Sequence, residues 1–456
     1  MTEQDHAGGG LFRADRMATS IGAVSLIMLL AFEAIAVAAV MPTVARALHG
    51  MDHYAVAFGG TLAASVVGMV LGGEVCDRRT PWLACWLGAL LFTAGLLLAG
   101  LAGNMSLLVW GRVLQGLGAG LLSVALYVGC CRVMPASLHP QLFALFAAGW
   151  VVPALVGPVV AAGLVAWLGW RAVFLLVALL TPLALGLLWP AMSRLPRLTS
   201  GAPLRWEQPA WSLLAALGAM SLHQAVQCRS GLATALMVAA GLAAVLLAAR
   251  RLLPHGSLRA APGLPSVVAM RGLIAAAFFN AEAYIPLQLS RDGWSVAQAG
   301  AALTAGALMW SAGSALQARL PSAWRRRGLT AGFVLFVSGT LLALLAMRLG
   351  TPWVLVLGWA VVGLGIGLSF PMLSVLTMQL SRPEEQGSNA SALQLSDALF
   401  SSVVLALGAL LLQPAAGQMP SAMPALWTSA LLALLAVWIS PRSQQESEAD
   451  SRHYMI

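Results

Sequence analysis

Apolar runs of about 20 residues follow one another along almost the whole chain, broken by short polar stretches that carry arginine, proline and glycine. A helix rises about 1.5 Å per residue, so each run can cross a hydrocarbon core of about 30 Å. Barrel strands would instead alternate polarity over segments of about ten residues, and that alternation is absent. An open chain in lipid satisfies its backbone polar groups by forming helices. The pattern therefore predicts an all-α integral membrane protein. Spans are expected near 18–41, 54–75, 82–103, 105–130, 140–165 and 168–191, then 210–227 and 231–249, then 266–288, 296–318, 329–347, 353–378, 391–413 and 424–440. That makes fourteen.

Composition agrees: 60% of the 456 residues are hydrophobic and 9% charged, where a soluble domain carries about a quarter charged residues. The first run follows Arg13 and Arg16 but is longer than a secretion-signal core, and Glu33 interrupts it, so a retained span is expected. Every basic residue is arginine, and the net charge is +9. Nucleic-acid binding is the less economical reading of that charge, because the arginines follow topology. With the N-terminus inside, inner loops hold Arg13, Arg16, Arg78, Arg79, Arg132, Arg194, Arg250, Arg251, Arg325, Arg326, Arg327 and others, whereas the outer side has only Arg46, Arg171, Arg229, Arg291 and Arg348. Cytoplasmic loops are the basic ones. Removing one span would destroy the bias. Removing the middle pair together would keep it, so twelve spans is the rival count.

The expected organisation is a cytoplasmic tail over 1–17, a six-helix bundle over 18–191, a linker with two additional spans over 192–265, a second six-helix bundle over 266–440, and a cytoplasmic tail over 441–456. The bundles look related. Gly116-Leu117-Gly118-Ala119-Gly120-Leu121 in span 4 recurs as Gly363-Leu364-Gly365-Ile366-Gly367-Leu368 in span 12, and Glu33 in span 1 has a counterpart in Glu282 of span 9. Duplicated halves are a common plan of secondary transporters.

Several short segments resemble the major facilitator superfamily. Gly73-Glu74-Val75-Cys76-Asp77-Arg78-Arg79 is similar to its Gly-x-x-x-Asp-Arg loop, with Thr80-Pro81-Trp82 where further basic residues are usual. Arg112-Val113-Leu114-Gln115-Gly116 resembles the Arg-x-x-Gln-Gly signature of the fourth span. Pro153 and then Gly157-Pro158-Val159-Val160-Ala161-Ala162 resemble the antiporter motif of the fifth, with alanines replacing two glycines. The extra central pair resembles the fourteen-span drug:proton antiporter branch. The resemblance implies two pseudo-symmetric six-helix bundles that rock about a central cavity.

Ionisable residues inside spans are the candidate chemistry. A charge at the centre of a membrane helix costs about 2.5–3.5 kcal/mol on insertion scales, so Glu33, Glu282 and Asp397 each need a partner or water. Burial disfavours the charged form of a carboxyl, and such a group can hold a proton and release it when its surroundings grow wetter. Glu33 and Glu282 are read as proton-coupling or substrate-contacting groups, with a fixed pair to Arg112 the alternative for Glu33 and a helix-packing role that for Glu282. Arg112 keeps its proton and is expected beside Glu33. Gly73, Asp77, Arg78 and Asp397 are expected to gate or to hold contacts between halves, and Asp77 can pair with arginine or cap a helix. Pro153, Gly157 and Pro158 are expected to shape span 5. Phe279, Asn280 and Tyr284 around Glu282, with Gln115, Trp150 and Trp310, are candidate cavity residues.

His49 and His53 flank Asp52 at i,i+4 spacing without a second carboxylate, and His223 lies in the central pair; no metal site is expected. No Walker loop is present, so the proton gradient rather than ATP is the expected energy source, and no cofactor is needed. The expectation is a monomeric, multi-pass protein of the bacterial cytoplasmic (inner) membrane, both termini cytoplasmic. It exports small amphipathic or cationic compounds in exchange for protons, with a metabolite, siderophore or lipid as the competing cargo. An enzyme or sensor would need a polar cluster on one membrane face or a sizeable soluble domain, and the sequence offers neither.

Overall fold

The computed structural model describes residues 10–50, 54–196, 207–226, 228, 230–411 and 421–444. Asp52, His53, Arg229, most of the linker before residue 207 and the outer parts of both tails lie outside these. Among the described residues there are fourteen long helices: α1 (Met17–Ala47), α2 (Tyr54–Arg78), α3 (Pro81–Gly100), α4 (Met105–Val133), α5 (His139–Leu168), α6 (Arg171–Met192), α7 (Glu207–Ala225), α8 (Gly231–Leu252), α9 (Leu264–Arg291), α10 (Val296–Arg319), α11 (Ser322–Leu349), α12 (Pro352–Gln379), α13 (Gln386–Leu411) and α14 (Met423–Ile439). Each overlaps one expected span, and no strand occurs among the described residues.

Local chemistry sets the ends. Thr80 accepts the Leu83 N–H at 3.0 Å ahead of Pro81, and Asn104 accepts that of Leu107 at 2.9 Å. Both are N-caps that satisfy a free donor of the first turn. Ser295 and Gln298 form a capping box at the start of α10. Gly350 ends α11 at φ +64°, a left-handed conformation that glycine adopts most readily.

Twelve of these helices are long and apolar enough to cross a membrane, which makes the protein multi-pass. They are not the twelve of the rival count. The central α8 qualifies, whereas α7 and α10 fall short. Glutamate, glutamine and histidine dilute α7, and α10 is rich in alanine, glycine, serine and glutamine.

The chain divides into two compact units. The first runs to Ala216 and includes Ser381–Ser391; the second comprises Leu217–Leu380 and the chain from Ala392. Within the first unit α4 packs on α2 and α3, and α6 on α1 and α3; within the second α12 packs on α10 and α11, and α14 on α9 and α11. The same four pairings thus occur twice.

Glycine makes the closest of them. A methyl on Gly118 would meet Gly88 O of α3 at 2.7 Å, and one on Gly365 would meet Gly332 O of α11 at 2.6 Å. Gly116 and Gly120 abut the backbone of Thr61 and Ser65 on α2, while Gly363 and Gly367 abut that of Gly306 and Trp310 on α10. The repeated glycine triplets do equivalent work in the two units, letting helix backbones touch on two sides. Gly157 of α5 is different, since a methyl there would lie an ordinary 3.6 Å from Ile35 and 3.7 Å from Phe32. Its position does not demand glycine on steric grounds. Helix α5 is continuous through Pro153 and Pro158.

Candidate functional site

In the first unit, α1 carries Glu33 and α4 carries Arg112 and Gln115 on one face, three residues apart. Glu33 is 5% exposed, Arg112 4%, and Gln115 is fully buried. Arg112 Nη1 donates to Glu33 Oε1 and, at 3.0 Å, to Gln115 Oε1. The structure therefore brings Glu33, Arg112 and Gln115 together as one buried network. Arg112 Nε and Gln115 Nε2 have no acceptor among the described residues, which leaves two donors for water or a ligand oxygen. A buried pair of this kind is sensitive to single changes, because removing one partner strands the other's charge at about 3–5 kcal/mol.

In the second unit, the acid on α9 has no such company. Glu282 is half-buried, and among the described residues its carboxylate has neither a hydrogen bond nor an ion pair. Phe278, one turn earlier on the same face, sits 4.9 Å from both Trp310 of α10 and Trp359 of α12. The indole N–H groups of Trp310 and Trp359 are buried without an acceptor among the described residues. Asn280 faces α14, donating to Ala425 O at 2.8 Å and Ser429 Oγ at 3.1 Å. A methyl on Gly408 of α13 would lie 3.3 Å from Asn280 Oδ1 and 3.6 Å from the Tyr284 hydroxyl. Phe279 is exposed on this unit and Trp150 on the first.

A second ion pair lies lower on α9. Arg271, 3% exposed, directs Nε at both oxygens of Asp397 on α13, at 2.8 and 3.0 Å. Its Nη1 reaches Phe370 O at 3.1 Å and Ser374 Oγ at 3.0 Å on α12, and its guanidinium lies over the Phe370 ring. Sequence reasoning placed Asp397 but missed Arg271. The signal was available, since an arginine seven residues into an apolar run is as costly as Arg112.

The third cluster closes the first unit around the start of α13. Asp77 accepts the backbone N–H groups of Gly387 at 2.6 Å and Ser388 at 2.7 Å, a carboxylate on a helix N-terminus where the macrodipole favours it. A methyl on Gly73 would meet Gly387 O at 2.7 Å, so backbone lies on backbone here. Arg132, which sequence reasoning used only for topology, spans the cluster. It donates to Cys76 O at 3.3 Å, Gln386 Oε1 at 3.1 Å and Pro383 O at 2.7 Å, and its Nη2 is 3.9 Å from Asp77. Arg78 turns the other way and pairs with Glu74 at 2.5 Å. Pro153 lines an open, apolar groove of about 660 Å³ between α1, α5 and α6, apart from the site residues of the other clusters.

The chain is similar to known proteins in sequence and in fold. The sequence profile of the Major Facilitator Superfamily matches residues 21–279 and 267–453. Two proteins of Mycobacterium tuberculosis, each named "Probable multidrug-efflux transporter", are 32% identical over 366 residues, 74% of this chain and 74% of their own length. Among solved structures, a human organic anion transporter superposes with a TM-score of 0.65 at 16% identity, covering 93% of this chain and 98% of its own. A proton:xylose symporter superposes at 0.63 and 14% identity, covering 92% and 94%. At such identities these two speak for the fold. A doubled helical unit, ionisable groups buried in its membrane helices and a profile match from end to end make this chain a transporter of the Major Facilitator Superfamily.

Proposed function

We propose that the protein exports small amphipathic or cationic compounds by proton antiport, exposing its binding site alternately to the two sides of a bacterial cytoplasmic membrane. The observation that carries this reading is the pair of carboxyls, Glu33 and Glu282, at nearly the same offset along the first helix of each repeat. An acidic group kept in hydrocarbon at this energetic cost is usually functional. A carboxyl that is alternately protonated and ionised binds a cation in one state and releases it in the other, which couples cargo to proton flow. The relatives named for multidrug efflux favour export of drug-like cargo over a dedicated metabolite. Phe279 and Tyr284, neither of them buried, lie within three residues of Glu282 on α9 and suit lipophilic cations.

The proton gradient supplies the energy, both termini lie in the cytoplasm, and one chain suffices. Dye efflux from cells tests the reading. Ethidium efflux is expected to collapse on adding a protonophore, and to fall at least tenfold in Glu33→Gln and in Glu282→Gln. Both variants pumping at the wild-type rate would refute the carboxylate mechanism.

A further inference from the structure

The two units differ in how the arginines near their helix ends are matched. In the first, Arg13 and Arg16 flank Asp15 at 3.6 and 3.5 Å, Arg78 pairs with Glu74, and Arg132 lies 3.9 Å from Asp77. In the second, Arg259 precedes α9, Arg326 and Arg327 lie in the first turns of α11, and Arg442 follows α14. None of these four has an ion pair among the described residues. The described acids of this unit lie elsewhere. Glu282 stands beyond the middle of α9, Asp292 just past its far end, and Asp397 is held by Arg271.

Contacts gather these arginines at one end of the unit. The Gly263 N–H donates to Arg442 O at 3.0 Å, and Arg442 Nη1 donates to Ala260 O at 3.1 Å and Arg259 O at 3.4 Å. Ala260 holds a left-handed φ of +48°, a conformation that a residue with a side chain keeps only where its surroundings impose it. Thr330, one turn beyond Arg326 and Arg327, lies 3.3 Å from Ser440 through the two hydroxyls, which sets the start of α11 beside the end of α14. Two indoles stand among the guanidinium groups. Arg442 lies over Trp438 at 4.1 Å and Arg327 over Trp324 at 4.7 Å, and the rings are 65% and 54% exposed. Trp438 also closes a stripe: Leu431, Leu435 and Trp438 recur at i, i+4 and i+7 on α14, all exposed, and Arg442 follows four residues on. One helix face thus runs from leucine through an indole to a cation.

We propose that this end of the second unit binds an anionic phospholipid, with its acyl chain along Leu431 and Leu435 and its phosphate on Arg442 and Arg259. The order of the α14 stripe is the order of a phospholipid, from chain through interface to headgroup, and tryptophan belongs at the interface level. Arginine holds its proton and presents a planar fork that suits phosphate oxygens. Nε and Nη2 of Arg442 have no acceptor among the described residues, while Nη1 fixes the group on two carbonyls. Arg326 and Arg327 add positive field, which attracts an anionic headgroup. A lipid on Arg442 and Arg259 clasps the end of α14 to the turn before α9 and steadies the unit. The competing occupant is the chain's own tail, which carries Glu446, Glu448 and Asp450. Helix α14 is one of those able to cross a membrane, so hydrocarbon meets its leucines, and this favours lipid. Lipid binding here does not require the antiport reading.

Thermal unfolding of the full chain in detergent micelles, titrated with phosphatidylglycerol or with phosphatidylcholine of the same acyl chains, tests the proposal. Phosphatidylglycerol is expected to raise the unfolding temperature at a concentration at least tenfold below that of phosphatidylcholine. In Arg259→Gln/Arg326→Gln/Arg327→Gln, which changes exposed side chains only, the phosphatidylglycerol concentration for half the shift is expected to rise at least tenfold. Each arginine near an anionic surface is worth about fivefold in affinity, so Arg326→Gln alone is expected to raise it about fivefold and decides if the triple variant does not fold. Arg348→Gln, at the opposite end of α11, is expected to leave it unchanged. Equal response to the two lipids, or a smaller rise in the triple variant, overturns the proposal. An equal rise in Arg348→Gln also overturns it, since net charge rather than a site is then at work. Glu446→Gln/Glu448→Gln/Asp450→Asn is expected to respond as wild type does, whereas a response seen only in that variant gives the arginines to the tail. Inorganic phosphate that produces the full shift at the same concentration overturns the lipid.

Discussion

Arg271 meets a carboxylate, a backbone carbonyl, a hydroxyl and an aromatic face at once, whereas Arg112 meets a carboxylate and an amide. Both are buried cations that hold their protons, so each depends on its acid. Arg112→Ala is expected to destabilise the protein by about 3–5 kcal/mol, since Glu33 is left alone. The double variant Glu33→Gln/Arg112→Gln is expected to recover most of that loss, because a neutral pair needs no counter-charge. Thermal unfolding of the purified variants, with the double-mutant cycle completed, checks both expectations. Glu33 and Arg112 were legible as partners in the sequence because each is a rare ionisable residue within an apolar run. Arg271 escaped because it was counted with neither the loops nor the span interiors. That Glu282 has no hydrogen bond or ion pair among the described residues could not be read from sequence, since the absence of a partner is a fact about packing.

At the scale of helices, glycine rather than side-chain interlock sets the closest contacts. Gly365→Ala would drive a methyl to 2.6 Å from Gly332 O and from Phe336 N, both backbone atoms that cannot swing aside. Helices α11 and α12 must then separate, at about 1–3 kcal/mol. Gly157→Ala is expected to lie within about 0.5 kcal/mol of wild type, because the added methyl meets only side chains at ordinary distance. Unfolding temperatures of the two variants in the same detergent compare them directly. The helix cap offers another measurement. Asp77→Asn keeps the shape but loses the charge on the Gly387 and Ser388 N–H groups, which is worth about 1 kcal/mol. Amide hydrogen exchange at those two residues is expected to quicken about fivefold.

The helices themselves were largely legible. Fourteen apolar runs became fourteen helices, because the length needed to cross lipid is written directly in the chain. Run lengths alone did not show that α7 and α10 would be the least apolar, since alanine, glycine and serine extend a run without adding much hydropathy.

The whole molecule is a duplication that has kept its scaffold and diverged in its chemistry. The four helix pairings and the glycine triplets repeat, and each repeat has an ion pair between its helices built on a buried arginine. The pairs join different helices, however: α1 to α4 in the first unit and α9 to α13 in the second. The repeat was visible in the sequence through the glycines and through Glu33 and Glu282, whose spacing is nearly shared. Its asymmetry emerged only in the structure, where Glu33 has an arginine partner and Glu282 has none among the described residues.

Ethidium transport into proteoliposomes with an imposed pH gradient tests the central claim, that proton movement through buried carboxyls drives export. With the interior acid, wild type is expected to accumulate dye in proportion to the gradient, and Glu282→Gln to show only passive equilibration. Accumulation that is unchanged when the gradient is collapsed, or that Glu282→Gln sustains at the wild-type rate, would contradict the account.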